Sequence, residues 1–525
     1  MRRNILFITT DQQRYDALGV NGGTIARTPV ADRLAATGIN YRRAHNQNVV
    51  CMPARSTMLT GQYVRTHGVT ANGIPLPVDA PSVAGYLHEQ AGYRTALLGK
   101  AHFEPAFDPQ QRWFENRMGY EGSTGPFRGF EHLELAMHVP LNGWHYSRWL
   151  KKNHPGELKG FAPLLSAQGG GETGAPEVAY NPIAREHYHT DWVADRTIAF
   201  LDGLGAEERW FVWMSFPDPH HPWDPPASEA KRVPWRDLDL PPGHPGSEEK
   251  IRQILAQKPR HWLAWYEGRW PNMEGGPATF APCTLTHDQI REVNALTHVE
   301  NELIDEACGR VLARIAARGW DAETDVVFTT DHGELQGDFG LLYKGPYHVD
   351  SLMRIPMIWR PAPAAGIAPA TIDEPVGQVD LAPTFCRAAG LDPAPWMQGA
   401  PLPTAPGSGR ERVITEWDSQ FDRCGMHLRT IYRDGLVCTV YEPSTKDTGF
   451  PAEPVLKATG WQGATPDIAY DGSEGELYDL GEDPLQWRNL WNDPAWQKRK
   501  QDLIADLYAN LPPARTPSLA VEAPA

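Results

Sequence analysis

Short, mainly apolar runs that end in polar residues recur along the chain. Residues 4–9 (NILFIT), 210–216 (WFVWMSF) and 325–330 (DVVFTT) have this pattern, which is typical of parallel strands covered on both faces. The polar pairs Asp11-Gln12 and Asp331-His332 follow the first and third runs, and PDPHHP follows the second. Because ligands bind beyond the carboxyl ends of parallel strands, these polar clusters predict one shared functional site.

Helical patterns lie between the apolar runs. Residues 82–90 predict a helix that is followed by a strand at 94–98, and 355–359 predict one more strand. From Ile290 onward apolar residues recur at every third or fourth position, which predicts a long helix that ends near Gly319. Alternating strands and helices predict an α/β fold with a large, mostly parallel sheet flanked by helices.

Two stretches rich in Gly, Pro, Trp and His interrupt this pattern, at about 104–188 and 217–282. Long insertions after strand ends commonly form the walls of a pocket. We therefore expect residues 1–400 to form the main domain, with these two stretches as pocket-forming insertions. Trp262, Trp265 and Trp270 suit an aryl or sugar group, but they suit loop packing or a subunit contact equally well.

The character of the sequence changes from about residue 401. Short strands are predicted at 412–417, 428–432 and 436–441, and the turn Arg433-Asp434-Gly435 joins the last two as a hairpin. A terminal helix is predicted near 496–511, and the Pro/Ala-rich tail from residue 512 predicts no regular structure. Residues 401–525 are thus predicted to form a smaller α+β subdomain built on an antiparallel sheet.

Composition excludes several classes of protein. The 525 residues include 49 Lys and Arg against 65 Asp and Glu, for a net charge of −16. This balance argues against a nucleic-acid partner, although a local cationic pocket for an anionic small substrate can lie on an acidic surface. No run approaches the ~18 apolar residues of a membrane span, and the apolar run at 5–8 is too short for a signal peptide. We expect a cytoplasmic protein with no membrane partner.

The strongest local signal is Cys51-Met52-Pro53-Ala54-Arg55. Pro53 suits the first turn of a helix, which would place Cys51 at the helix N-terminus, where the backbone favours an anion. Arg55 follows one turn later with a permanent charge that suits an oxyanion. Cys51 is therefore a candidate nucleophile. The alternative, a buried structural cysteine, is the interpretation that we adopt for the other five cysteines.

The pairs Asp11-Gln12 and Asp331-His332 would supply two carboxylates, an amide oxygen and an imidazole nitrogen. This mostly oxygen set suits Ca²⁺, Mg²⁺ or Mn²⁺ better than a thiolate zinc site. An alternative interpretation of the second pair is a helix cap, with Asp331 at the N-cap and Glu334 three residues later. The two interpretations are compatible.

Taken together, six segments resemble the formylglycine-dependent sulfatases of the alkaline phosphatase superfamily, in the branch of arylsulfatases and phosphonate monoester hydrolases. The segments occur in order over nearly the whole chain: TTDQQR at 9–14, CMPARSTMLTG at 51–61, GKAHF at 99–103, PDPHHPWDPP at 217–226, TTDHGELQGDFGLLYKG at 329–345 and ELYDLGEDPLQWRNL at 476–490. The resemblance implies an alkaline phosphatase-like fold for the main domain.

The resemblance also implies a nucleophile and a metal site. Cys51 matches the cysteine that a formylglycine-generating maturation enzyme oxidises to formylglycine, whose hydrated aldehyde attacks sulfur. One divalent ion would be held by the following residues: Asp11, Gln12, position 51, Asp331 and His332. Gln12 departs from the second Asp of many members, which leaves the site one negative charge lighter and keeps Ca²⁺ and Mn²⁺ both open.

The remaining roles follow from the same motifs. Arg55 and Lys100 would hold the hydrated aldehyde, and His102 would be the base that later takes a proton from it. His220 and Lys344 would contact the sulfate and the leaving-group oxygen, and one of the two would be the general acid. Asn72 would add a hydrogen bond to the sulfate.

The sequence therefore predicts a sulfuric ester hydrolase, of the arylsulfatase type, that releases inorganic sulfate from an aryl or other small organic sulfate. One alternative is a phosphonate monoester or phosphodiester hydrolase with the same nucleophile. That branch lacks the Lys and His found here at Lys100 and His102, which favours the sulfatase. An alternative of another class is a non-catalytic anion-binding protein with Cys51 left as a thiol. We expect a homo-oligomer, either a dimer or a tetramer.

Overall fold

The computed structural model describes residues 2–106, 108, 110–140, 143–166, 169–270, 274, 276–277, 280–419, 424–444 and 468–523. The strands of the described residues are β1 (Asn4–Thr10), β2 (Ile39–Tyr41), β3 (Ala44–His45), β4 (Arg94–Gly99), β5 (His132–Leu135), β6 (Trp210–Ser215), β7 (Thr324–Thr330), β8 (Met357–Arg360), β9 (Ala370–Ile372), β10 (Val376–Gly377), β11 (Arg412–Asp418), β12 (Cys424–Gly425), β13 (His427–Arg433), β14 (Leu436–Tyr441), β15 (Ile468–Ala469) and β16 (Gly475–Asp479).

The α-helices of the same residues are α1 (Pro29–Ala36), α2 (Cys51–Thr60), α3 (Val64–His67), α4 (Val83–Ala91), α5 (Phe114–Glu121), α6 (His145–Asn153), α7 (Pro155–Phe161), α8 (His189–Asp202), α9 (Glu248–Leu255), α10 (His261–Tyr266), α11 (His287–Ala317), α12 (Asp350–Met353), α13 (Leu381–Ala388) and α14 (Gln497–Asn510). The long helix predicted from Ile290 is α11, which begins at a capping box formed by Thr286 and Gln289. Among the residues that the structure describes, no helix is both long enough and apolar enough to span a membrane.

A central sheet has the strand order β5-β4-β6-β1-β7-β8-β2-β9. Strand β1 lies between β6 and β7 and runs parallel to both, whereas β8 runs antiparallel to β7 and to β2. Side chains of β1 alternate between two apolar clusters, with Ile5 and Phe7 in one and Leu6 and Ile8 in the other. Both faces of the sheet are therefore covered, and the predicted α/β class is confirmed.

The parallel strands β1, β6 and β7 end at the same edge of the sheet. Asp11 follows β1, Asp218 follows β6 and Asp331 follows β7, and the backbone N–H of Asp11 donates to the carbonyl of Asp218 over 3.0 Å. The topology thus gathers the polar clusters that the sequence places after each strand.

A second, antiparallel sheet lies near the C-terminus, with the order β11-β13-β14-β16. The predicted hairpin is present, with Arg433 paired to Leu436. The Thr415 hydroxyl donates to the Asn46 carbonyl over 2.6 Å, and the Glu416 N–H donates to the Gln47 carbonyl over 2.9 Å. This sheet therefore supports the segment that leads into Cys51. The boundary at residue 401 stays a prediction.

The irregular stretches contain more structure than their composition predicts. The 104–188 insertion carries α5, α6, α7 and the edge strand β5. In the Pro/Ala-rich tail, the Arg515 N–H donates to the Arg65 carbonyl over 2.7 Å, and the Glu522 N–H to the Gly73 carbonyl over 2.9 Å. These contacts join segments distant in sequence, and local patterns do not reveal them.

The tryptophans of the second insertion pack inside the molecule. Trp262 and Trp265 are 0% and 1% exposed, and Trp270 is also buried. All three belong to an apolar cluster that includes Phe339 and Tyr347. This burial favours loop packing over the subunit contact or the aryl- or sugar-binding role that the sequence left open.

Candidate active site

Cys51 is the first residue of α2, and Pro53 lies in the first turn of that helix. The thiol is buried, with Sγ 3.1 Å from Nε2 of His332 and 3.7 Å from Oδ1 of Asp11. Burial raises the pKa of the Cys51 thiol to about 12, and Asp11 raises it further while Lys100 opposes both. An unmodified thiol in these surroundings keeps its proton at neutral pH and is a poor nucleophile.

The donor atoms of four buried residues lie within 4.8 Å of one another: Asp11, Cys51, Asp331 and His332. Nε2 of His332 is 3.6 Å from Asp11 Oδ1 and 3.7 Å from Asp331 Oδ1, close to the roughly 3–3.5 Å that neighbouring ligands span around one divalent ion. This donor set therefore fits a single divalent cation.

The orientation of His332 supports this fit. Its Nδ1 lies 2.9 Å from the Gly333 carbonyl oxygen, so Nδ1–H donates there and the lone pair of Nε2 faces Asp11 and Asp331. Burial lowers the pKa of His332 to about 4, although Asp331 opposes the shift. The imidazole is thus neutral at pH 7, which is the form that binds metals.

Asp331 holds the two metal-site segments together. Its Oδ1 accepts the N–H groups of Gln12, over 3.0 Å, and of His332, over 2.9 Å. Residues 331–337 form no helix, so the alternative interpretation of Asp331 as a helix cap is wrong. The local Asp-to-Glu spacing predicted a cap, but long-range packing against the β1 end determines what the Asp331 carboxylate binds.

Gln12 links the donor cluster to Lys344. The side-chain Oε1 of Gln12 accepts from Lys344 Nζ over 2.6 Å, while its Nε2 donates to Glu334 over 2.5 Å. Gln12 has a left-handed backbone with a φ of 66°, which is uncommon for a residue with a side chain. Its role as a metal ligand stays a prediction.

Two cations neutralise the carboxylates from the opposite side. Arg55 Nε donates to Asp331 Oδ2 over 2.8 Å, and Lys100 Nζ binds Asp11 Oδ2. Burial opposes the charge on Asp11, but Lys100 and Arg55 outweigh burial and hold the pKa of Asp11 well below its usual value. Lys344 adds a third cation beside Gln12, so this pocket of an acidic protein concentrates positive side chains where an anion would bind.

A glycine brings Lys100 to this position. Gly99 ends β4 with a φ of +108°, and a Cβ atom there would collide with the Ser215 carbonyl at the end of β6. The Lys100 N–H donates to that carbonyl over 2.9 Å, and the Ser215 hydroxyl accepts from Arg55 over 2.9 Å. The close approach of two strand ends therefore places both cations.

His220 and Lys344 form a direct pair, with Nε2 and Nζ 2.7 Å apart. Burial and the charge of Lys344 lower the pKa of His220 well below its usual value. Burial opposes the charge of Lys344, but the neighbouring acidic groups, Asp11 among them, outweigh burial and raise the pKa of Lys344. The proton therefore resides on Lys344. Neutral His220 accepts a hydrogen bond from Lys344 at Nε2, while its Nδ1–H donates to the His221 carbonyl.

Asn72 and His102 lie at the margin of this cluster. The Asn72 Oδ1 accepts the Met52 N–H over 3.0 Å, and its Nδ2 donates to Glu274 over 3.2 Å. His102 is buried with a φ of 56°, and its Nδ1 has no hydrogen-bond partner among the described residues. Burial and Lys100 lower the pKa of His102 well below its usual value, so the ring is a neutral base.

Residues 3–391 match the family model described as Sulfatase. The chain belongs to the sulfatase family.

Relatives of this sulfatase agree with that assignment. An arylsulfatase of Clostridium perfringens is 26% identical over 77% of this chain and 78% of its own. A protein of Trinickia caryophylli, named as a multifunctional alkaline phosphatase superfamily protein, is 26% identical over 95% and 93%. The solved phosphonate monoester hydrolase of Agrobacterium radiobacter superposes with a TM-score of 0.74 at 22% identity, over 97% of this chain and 95% of that one. The predicted alkaline phosphatase-like fold is confirmed.

The sequence did not reveal His138 of this sulfatase. Its Nε2 lies 3.1 Å from Lys100 Nζ and 3.8 Å from Asp11 Oδ2, and its ring stacks on His220 at 4.0 Å. His138 follows β5 inside the irregular 104–188 insertion, where no periodicity or motif distinguishes it. The ring of His138 therefore lies between Lys100 and His220 and supports the position of His220 by stacking.

The loop that carries His220 is anchored by a residue that was also missed. Oδ1 of Asp218 accepts from His189 Nε2 over 2.6 Å and from the Tyr188 hydroxyl over 3.2 Å, and the Thr190 hydroxyl donates to Oδ2. Tyr188 is the N-cap of α8, and His189 and Thr190 are its first two residues. Asp218 lies in the PDPHH segment, so its place after a predicted strand was a usable signal.

Proposed function

We propose that this sulfatase hydrolyses sulfate monoesters of phenols or other small alcohols, with formylglycine made from Cys51 as its nucleophile. The observation that carries the proposal is the position of Cys51 Sγ, 3.1 Å from His332 Nε2 and 3.7 Å from Asp11 Oδ1. An arylsulfatase and a choline-sulfatase of Rhizobium meliloti among the relatives support a small sulfate ester as substrate.

Asp11, Asp331, His332 and residue 51 would hold a divalent cation, with Gln12 as a further oxygen ligand. When bound, the ion supplies positive charge that lowers the pKa of a hydroxyl group beside it. The carboxylate and amide oxygens suit Ca²⁺ or Mn²⁺. Arg55 and Lys100 already neutralise the two carboxylates, so the chain itself keeps the donor groups deprotonated.

Side chains of the protein would bind the substrate and transfer the protons of the reaction. Lys344, with His220, would bind the sulfate and give a proton to the oxygen of the leaving alcohol as the S–O bond breaks. Asn72 would donate a hydrogen bond to a sulfate oxygen. After transfer of the sulfuryl group to one hydroxyl of hydrated residue 51, His102 would remove the proton of the other hydroxyl. The carbonyl would then re-form as its bond to the sulfate oxygen breaks and inorganic sulfate leaves, and addition of water would restore the hydrate.

Phosphonate monoesters and phosphodiesters are the second candidate substrates. Like a sulfate monoester they carry one negative charge, so the same cationic pocket suits them. The Trinickia caryophylli relative, named as multifunctional, favours some activity of this kind. Lys100 contacts Asp11, and His102 is buried beside them. The resemblance assigns this Lys and His to the sulfatases and not to the phosphonate hydrolases, so their place in the site favours sulfate esters as the main substrates.

A hydrolysis panel tests the proposal. Specificity constants are compared for an aryl sulfate, a sugar sulfate, choline sulfate, a phosphodiester and a phosphonate monoester, with Cys51→Ala as the control for the nucleophile. We expect the highest kcat/KM with an aryl or other small sulfate, and loss of turnover by roughly 1000-fold or more in Cys51→Ala. A phosphonate monoester as the best substrate would assign the second function. No turnover by protein that carries formylglycine would indicate a binding protein.

A further inference from the structure

A second cluster of metal-ligating side chains lies outside the candidate active site and shares no residue with it. It consists of His154, Glu157 and His187, each of which places one donor atom within 4.8 Å of the other two. His154 lies between α6 and α7, Glu157 is in the first turn of α7, and His187 is in the short 3₁₀ turn before α8. Two segments of one insertion, residues 154–157 and the turn that ends at residue 187, therefore meet at this point.

The donor atoms lie close enough together to share one ion, although the rings are not yet turned toward it. Nδ1 of His187 lies 2.9 Å from Oε1 of Glu157, and the rings of His154 and His187 stack with centroids 3.5 Å apart. Two ligands of a tetrahedral zinc ion with bonds of 2.0–2.1 Å are about 3.3 Å apart. Shifts of a few tenths of an ångström would thus give the His187 and Glu157 donors this spacing. The ion would replace the proton that His187 Nδ1 shares with Glu157, and the two rings would turn out of their stack so that both lone pairs face it.

The backbone holds each ligand in place. The second carboxylate oxygen of Glu157 accepts the Ala184 N–H over 3.1 Å, which fixes the carboxylate plane. The His187 carbonyl accepts the Tyr146 hydroxyl over 2.9 Å, and the His154 N–H donates to the Leu150 carbonyl over 2.7 Å. The first of these bonds orients a ligand side chain directly, and the other two fix the backbone from which the two imidazoles extend.

The cluster is open to solvent. The side chains of His187 and Glu157 are 21% and 25% exposed, so an ion can enter and a water molecule can complete its coordination. Two imidazole nitrogens and one carboxylate oxygen are a zinc set, unlike the oxygen-rich set near Cys51. We propose that His154, Glu157 and His187 bind one Zn²⁺, with water as the fourth ligand.

The bound ion would act as a clasp within the insertion. It would tie the α6–α7 junction to residue 187, two positions before His189, whose ring holds Asp218 in the loop of His220. Binding energy at the cluster therefore adds to the stability of the folded insertion. The proposed zinc site does not contact the substrate. Its test therefore measures bound metal and stability, and not sulfatase activity.

Equilibrium dialysis against Zn²⁺ tests the proposal. Chelator-treated full-length protein is dialysed against micromolar ZnCl₂ with excess Ca²⁺ and Mn²⁺, and the metals are counted by mass spectrometry. His187→Ala and Glu157→Gln should each bind one Zn²⁺ fewer per chain than the wild type. The matched control is His132→Ala, which removes a half-buried histidine paired with Glu134 at 3.0 Å; it should bind as much as the wild type. Equal Zn²⁺ in wild type and in folded His187→Ala would overturn the proposal.

A second measurement uses only the wild type and so does not depend on whether the variants fold. Co²⁺ replaces Zn²⁺ in such sites, and a four-coordinate Co²⁺ absorbs visible light far more strongly than an octahedral one. We expect an intense visible band that Zn²⁺ abolishes, together with a rise of Tm on addition of Zn²⁺. Absence of both the band and the shift in Tm would refute the site, whatever the variants show.

Discussion

Nε2 of His332 lies 3.1 Å from Sγ of Cys51, although 281 positions separate the two residues in the chain. The contact exists because α2 begins beside the edge of the sheet where β1 and β7 end. It joins the residue that we expect to be modified to a neutral imidazole that we expect to bind the metal.

Removal of the metal should abolish activity. Treatment with a chelator is expected to inactivate the enzyme, and one equivalent of Ca²⁺ or Mn²⁺ should restore it, because Asp11, Asp331 and His332 supply a nearly complete donor set. The metal content and the Tm of the treated and restored protein are measured alongside turnover, since a bound ion stabilises the fold. Full activity of protein shown to be metal-free would contradict the assignment.

His102 should act after the S–O bond has broken. Because its pKa lies well below the usual value, the ring is a free base across the neutral range. His102→Ala is expected to slow the steady-state rate by about 100-fold or more while a burst of released phenol persists. Rapid-mixing kinetics with an aryl sulfate separates the two phases. If burst and steady state fall by the same factor, His102 has another role.

Lys344 should matter most for poor leaving groups. It carries the proton of the His220–Lys344 pair, so Lys344→Met removes the proton that an alkoxide needs. We expect a loss of about 100-fold or more in kcat with alkyl sulfates and a much smaller loss with nitrophenyl sulfate, whose leaving group is stable without protonation. A series of aryl sulfates of increasing phenol pKa measures this slope. An unchanged slope would indicate that Lys344 only binds the sulfate.

Lys258 should make stability depend on pH. It is buried beneath Trp262 and Phe339, where Nζ donates to the Tyr478 hydroxyl over 2.6 Å. Burial lowers the pKa of Lys258 to about 8, although Glu476 opposes the shift; in the unfolded chain the pKa is about 10.4. Between these values the unfolded state binds more protons, so the contribution of Lys258 to folding stability rises with pH.

The variant Lys258→Met lacks this dependence. The free energy of unfolding of the variant minus that of the wild type should therefore fall by about 1–3 kcal/mol between pH 8 and pH 10. Urea denaturation at several pH values measures the difference, with the exposed Lys152→Met as a control for loss of a lysine. A difference that is constant over this range would show that Lys258 does not titrate there.

The sequence predicted the elements whose patterns are local. β1, β7 and the long helix α11 were predicted because their apolar periodicity and caps lie within the segments themselves. The predicted convergence of Asp11 and Asp331 followed from strand direction alone, and the structure brings the two residues into one cluster.

What could not be predicted depends on contacts between distant segments. His138 is in the site because β5 pairs with β4 at the sheet edge, and four residues of a short strand within a Gly-rich and Trp-rich stretch give no clear period. The tail after residue 512 is held by backbone hydrogen bonds to residues 65 and 73, which its composition does not encode. The cap interpretation of Asp331 was wrong for the same reason, since the partners of that carboxylate include Gln12 and Arg55.

The mass of the peptide that contains residue 51 tests the central claim most directly. Protein is produced with and without a formylglycine-generating enzyme, digested, and treated with a hydrazide that reacts only with aldehydes, because hydration of the aldehyde restores the lost mass. Before labelling we expect a peptide about 18 Da lighter than the cysteine form, and after labelling its hydrazone, whereas ordinary cysteine oxidation adds mass and gives no hydrazone. The account predicts that sulfatase turnover rises in proportion to the aldehyde-bearing fraction. Full turnover by protein in which residue 51 is entirely unmodified thiol would contradict it.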